Sequence, residues 1–297
     1  LHFAFCILHF AFCILHFAFC ILHFARFSPM LSTVFGLMDR IFPSLAYAVS
    51  RRWFDFISTR DSGRHMLFMN YGYDAEQPVR LSGEDEPDRY SIQLYHRVAG
   101  AVDLAGLKVL EVGSGRGGGA SYIKRCLGPA SVLGVDLAAS AIAFCREHYD
   151  VPGLAFEQGD AEALALPDAS FDAVVNVESS TCYEHPERFY AEVVRVLKPG
   201  GNFLYADVRA RGDVPEWEQH LADIELEKLE EEDITARVVA ALDRDSGRRA
   251  RLIAEHAPWG LRRVFHEFAG VQGSNYFYDA MRRREKVYRR YLFRKAG

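Results

Sequence analysis

The strongest chemical signal in this chain is Glu111-Val112-Gly113-Ser114-Gly115-Arg116-Gly117-Gly118-Gly119, directly after a short apolar run. Glycines let the backbone turn sharply and approach a ligand that any Cβ would block. A helix that follows presents free N–H groups to that ligand. A glycine-rich loop alone is shared with nicotinamide and flavin enzymes. Asp136 ends the next apolar run, 25 residues after Glu111. A carboxylate there can accept hydrogen bonds from both hydroxyls of a ribose. Gln158-Gly159-Asp160-Ala161 closes a third run. Its carboxylate can accept from an adenine amino group, while the backbone N–H beside it reaches a ring nitrogen.

Two further stretches follow in order, Phe171-Asp172-Ala173-Val174-Val175-Asn176 and Leu197-Lys198-Pro199-Gly200-Gly201. With the loop and the two aspartates they closely resemble the class I S-adenosylmethionine (SAM)-dependent methyltransferases. Leu94-Tyr95-His96-Arg97, the triple glycine before Ala120-Ser121-Tyr122, Asn176-Val177-Glu178-Ser179, Cys182-Tyr183 and Gly270-Val271-Gln272-Gly273 narrow this. They resemble the phthiotriol/phenolphthiotriol dimycocerosate methyltransferases and the fatty-acid and macrolide O-methyltransferases, from roughly Trp53 to the C-terminus. The resemblance implies SAM bound by Glu111, Gly113, Gly115, Asp136, Leu137, Asp160, Ala161, Asn176 and Glu178, with Tyr71 and Tyr73 closing from the N-terminal side. Glu178 can equally accept from a tyrosine of that N-terminal segment. The implied acceptor is a hydroxyl of an apolar lipid or polyketide-like secondary metabolite.

An aliphatic hydroxyl ionises far above pH 7, so it needs a base as it attacks. Related glycoside O-methyltransferases carry a histidine shortly after strand four. Here Ser180-Thr181-Cys182 occupies that place, and His185 is the nearest substitute. Asp207 matches an acidic position of those relatives. It is expected to act as base or to orient His185. C-methylation of a prenylated or aromatic carbon is the alternative, with Tyr71, Tyr73 or Tyr183 stabilising positive charge. A SAM-fold binding protein without turnover and a nicotinamide oxidoreductase are the other two readings. No metal site is expected, because histidine pairs with ligand spacing occur only in the repeat described below.

The elements that position these residues alternate. Strands are expected at Lys108–Val112, Ser131–Asp136, Leu154–Gln158, Phe171–Val177 and Phe203–Val208, with helical spacing between them. That pattern gives βαβ units and an α/β, Rossmann-like, seven-stranded, mostly parallel sheet whose last strand is antiparallel. Residues 101–297 form the SAM-binding domain. Residues 210–260 read as a helical cap insertion, with helices at Glu216–Leu229 and Ile234–Leu242 and the acidic run Glu230-Glu231-Glu232-Asp233 on a solvated helix face. Strands return at Val264–Phe268 and Val287–Phe293. The arginines around the last one suggest an edge strand protected by charge. Residues 30–100 read as an N-terminal helical lid, apolar from Met30 to Phe56 and interrupted at Pro43. Its helices could roof the site or join two copies of the chain.

The heptapeptide Leu-His-Phe-Ala-Phe-Cys-Ile occurs three times unchanged from Leu1 to Ile21, and a fourth copy starts at Leu22. Perfect identity is expected of a recent DNA duplication rather than of a fold. Residues 1–29 are therefore read as outside the native fold, with Met30 as the start. A membrane segment and an association helix are the competing readings. A net charge of −5 and 25% charged residues give no reason to expect nucleic acid. Cys126, Cys145 and Cys182 are scattered and form no Cys-x-x-Cys pair, so a reduced, cytoplasmic protein without structural zinc is expected.

Overall fold

The computed structural model describes residues 66–297. The heptapeptide repeat and the helices expected over Met30–Phe56 lie outside them. Helix α1 (Arg89–Ala99) leads to β1 (Lys108–Val112), α2 (Gly118–Cys126), β2 (Ser131–Asp136), α3 (Ala139–His148), β3 (Leu154–Gln158) and β4 (Phe171–Val177). Then follow α4 (Pro186–Val196), β5 (Leu197–Ala210), α5 (Val214–Ala222), β6 (Glu227–Asp233), α6 (Thr235–His256), α7 (Arg262–Phe268) and β7 (Lys286–Arg294). The first four strands coincide with the expected ones.

The seven strands lie in the order β3-β2-β1-β4-β5-β7-β6. β1 pairs in parallel with β2 and β4, and β7 runs antiparallel to both β5 and β6. The chain starts at the centre, builds outward to β3, then returns to lay β4 on the other side of β1. The crevice at the β1/β4 strand ends is therefore the switch point where such sheets bind ligands.

Strand alternation divides the core between the two faces. Leu204, Ala206 and Val208 of β5 join Tyr95, Tyr122 and Ile142 under α1, α2, α3 and α6. Phe203 and Tyr205 point the other way, packing with Phe189, Tyr190 and Trp217 of α4 and α5. Full burial of such side chains contributes roughly 1.5–3 kcal/mol each.

Three expectations are corrected beyond β5. Helix α5 stops at Ala222, and Glu227–Asp233 is a strand, not the end of a helix. Its carboxylates meet cross-strand arginines: Arg290 reaches Glu230 and Glu232, and Arg289 reaches Glu231. The basic strand β7 is consequently interior, and the acidic β6 is the edge. Val264–Phe268 lies in helix α7 rather than in a strand. Among the described residues, no helix is long and apolar enough to cross a membrane.

Candidate active site

Gly113 follows β1 with φ +73°, a conformation that disfavours L side chains. A Cβ there would run into the Ser179 hydroxyl after β4. Glycine thus lets the β1 and β4 ends close on one another at the switch point. The N–H groups of Gly113 and Ser114 donate to the Val135 carbonyl at 2.8 and 3.0 Å, so β2 holds the loop from the other side.

Asp136 sits where β2 meets the loop. Its Oδ2 accepts from the Gly115 N–H at 2.7 Å and its Oδ1 from the Ala138 N–H at 2.9 Å. Leu137 is fixed through its carbonyl, which accepts from Gln158 Nε2 at 3.1 Å. Asp160 Oδ1 accepts from the Glu162 N–H at 2.9 Å beside the buried Ala161. Asn176 Nδ2 donates to the Val112 carbonyl and the Ser179 hydroxyl, both at 2.9 Å, and to the Tyr183 hydroxyl at 3.1 Å. It stitches the end of β1 to the turn after β4.

Among the described residues, Asn176 Oδ1 and the Ser114 hydroxyl are buried without a partner. Burial pushes the Glu111 carboxyl up to about 8, opposed by the nearby Tyr95 hydroxyl and Ala120 amide. Unpartnered buried acceptors are costly unless a ligand donates to them. SAM brings a cationic ammonium and sulfonium and two ribose hydroxyls, which suit these acceptors and the carboxylates of Glu111 and Asp136 at the neighbouring strand ends.

Glu178, one residue past β4, has φ +53°. Its Oε1 accepts from the Tyr71 N–H at 2.8 Å and from the Tyr288 hydroxyl at 2.8 Å. Tyr71 continues into the roof, its hydroxyl donating to the Phe268 carbonyl at 3.2 Å and its ring 4.8 Å from that of Phe277. Tyr276 packs on Phe277 with ring centres 4.7 Å apart, completing an aromatic wall. Tyr73 turns toward α1 instead: its N–H donates to the Tyr90 carbonyl and its own carbonyl accepts from Gln93 at 2.8 Å. Arg249 of α6 clamps the roof, donating to the carbonyls of Asn70, Tyr71 and Ala269 and to Asp245.

The expected partnership of His185 and Asp207 is not formed. His185 precedes α4, half-exposed, with Nδ1 3.4 Å from Glu187. Pro186 starts the helix and carries the histidine outward. Asp207 is fully buried. It accepts from the Ser180 hydroxyl at 2.6 Å and the Thr181 N–H at 2.9 Å, and pairs with Arg209 at 3.1 Å. It fastens the turn that follows Glu178. Tyr288, Arg209 and Arg249 escaped sequence reasoning. Besides nearer contacts, each bonds far along the chain, Arg209 to Ser180, Tyr288 to Glu178 and Arg249 to Asn70, and no local spacing announces those pairs. Among the described residues, no group of three or more His, Cys, Asp or Glu comes together as a metal site.

A methyltransferase-domain family model matches residues 110–205, from inside β1 into β5. A phthiotriol/phenolphthiotriol dimycocerosates methyltransferase of Mycobacterium tuberculosis is 44% identical over 252 residues, 83% of this chain and 92% of that protein. A fatty-acid O-methyltransferase of Mycolicibacterium smegmatis is 44% identical over 230 residues, 77% of this chain and 83% of that protein. The crystal structure of a putative sarcosine dimethylglycine methyltransferase from Galdieria sulphuraria shares the fold, with TM-score 0.64 at 16% identity over 82% of this chain and 97% of that one. Sheet order, glycine loop, acceptor-rich crevice and these relatives agree: the chain belongs to the class I SAM-dependent methyltransferases, in the family of the phthiotriol/phenolphthiotriol dimycocerosate and fatty-acid O-methyltransferases.

Proposed function

We infer that this enzyme transfers a methyl group from SAM to an oxygen of a lipid-like or polyketide-like small molecule. The observation that carries the reading is 44% identity across 92% of a relative named for a lipid acceptor. The aromatic wall of Tyr71, Phe268, Tyr276 and Phe277 supports it, because such a surface suits an acyl or polyketide chain.

In this reading Glu111, Asp136, Leu137, Asp160, Ala161 and Asn176 hold the cofactor, with the loop glycines Gly113 and Gly115 admitting it. Bound SAM supplies a methyl group already activated by its sulfonium. The protein's part is to align the acceptor oxygen and exclude water. Tyr71, fixed by Glu178 and by the Phe268 carbonyl, and Arg249 close the roof over that line of approach. Residues 66–100 and 210–260 serve as lid and cap, with β6 built into the cap. The chain works in the cytoplasm, consistent with Cys126, Cys145 and Cys182 all being free thiols.

Incubation with SAM and either long-chain alcohols or fatty acids tests this. A methyl ether or methyl ester is the expected product, and turnover confined to short polar acceptors refutes the lipid assignment.

A further inference from the structure

Three observations single out Glu178. Among the described residues only three non-glycine residues have positive φ, and Glu178 is the one at the switch point. A glycine would occupy that conformation without strain, so a glutamate held there suggests a use for its side chain. Two donors from separate elements, the Tyr71 N–H and the Tyr288 hydroxyl of β7, converge on Oε1. Among the described residues the bonds to this carboxylate fall on Oε1, while the residue keeps part of its surface open. One oxygen is therefore anchored on two elements, while the carboxylate beside the glycine loop's switch point is not wholly enclosed.

We propose that Glu178, through Oε2, is the base that takes the proton from a hydroxyl acceptor during methyl transfer. This rests on the O-methylation reading above. The acceptor O–H bond breaks and its proton passes to Oε2. The acceptor oxygen bonds to the methyl carbon, and the pair from the breaking carbon–sulfur bond stays on sulfur. Carboxylate and sulfonium charges vanish together, so the step is balanced.

The surroundings tune the group for this task. Burial raises its carboxyl to about 8, opposed by the Tyr71 amide, the Tyr288 hydroxyl and Arg249 of α6, and helped by Asp207 of β5. Tyr95 of α1 also faces it. Only the ionised form accepts a proton, so transfer to a hydroxyl rises with pH through about 8. A fatty-acid carboxylate needs no base and is repelled by ionised Glu178, so its methylation falls over the same window. One residue thus gives the two acceptor chemistries opposite pH profiles.

Glu178→Gln distinguishes the possibilities, using a long-chain secondary alcohol and a fatty acid of equal length. The kcat for the alcohol is expected to fall by about 10²–10⁴ with little change in KM. SAM affinity by titration calorimetry stays within about threefold, and the ratio of alcohol to fatty-acid rates falls with the alcohol rate. An undiminished alcohol rate overturns the proposal. So does an equal loss of both rates, or a SAM affinity that falls in step with the rate. Wild-type enzyme that methylates neither oxygen acceptor is a separate result, which removes the O-methylation reading itself.

Discussion

Asp136→Ala removes the carboxylate that joins β2 to the glycine loop. Two bonds, from Gly115 at 2.7 Å and Ala138 at 2.9 Å, fix its orientation before any ligand arrives. A carboxylate held in place costs SAM little ordering when it accepts the ribose hydroxyls. Hydrogen bonds to a charged group contribute about 1.5–3 kcal/mol each, and water recovers part of the loss. The net effect on SAM binding is therefore about 2–3 kcal/mol, a factor of about 30–150 in Kd. Titration calorimetry with SAM, alongside thermal unfolding of the apo protein, separates this from general damage. The two freed amides cost about 1 kcal/mol of stability, because water reaches this part-exposed site. Asp160→Ala is the internal comparison: it frees only the Glu162 N–H, beside a surviving backbone contact, and its effect is milder. A Kd for Asp136→Ala within twofold of wild type, with the fold intact, refutes the placement of the ribose.

Two further substitutions probe buried charge. Glu111 has its carboxyl raised to about 8 from an ordinary carboxylate value, so the folded apo protein binds a proton that the unfolded chain releases. Its burden on stability is absent at acid pH and grows as pH rises toward about 8. Glu111→Gln is expected to stabilise the apo protein by on the order of 2–3 kcal/mol at pH 7 and by nothing near pH 4, while weakening SAM binding; equal melting shifts at both pH values contradict this. Asp207→Ala leaves Arg209 buried without its counterion and should cost about 3–5 kcal/mol in urea unfolding. His185→Ala, at a half-exposed position, should keep kcat within about threefold of wild type, and a loss beyond about 10²-fold would restore the histidine as a base.

What sequence revealed and what it hid have physical causes. The places of Asp136, Asp160 and the glycine loop in the fold were legible because each lies within a few residues of a strand end. Glu227–Asp233 was misread because five carboxylates and a lysine carry no strand alternation. The strand forms because β7 supplies arginines opposite them, a fact 60 residues away. Val264–Phe268 was misread the other way, since a short run of branched and aromatic residues has no periodicity to decide helix from strand. His185 was named from chain position, which places a residue near a strand end without saying where its side chain points; its ring lies by Glu187. Glu178 was named, but its anchoring by Tyr288 depends on the antiparallel return of β7 and could not be read locally.

The central claim is that this chain moves the SAM methyl group onto oxygen of a lipid-like acceptor. The most direct test uses SAM carrying a trideuterated methyl group, a long-chain alcohol and a fatty acid, with the product fragmented by mass spectrometry. The account predicts the intact label in a methoxy group, as ether or ester. Label bonded to carbon, or no label transferred to either acceptor while SAM still binds, would contradict it.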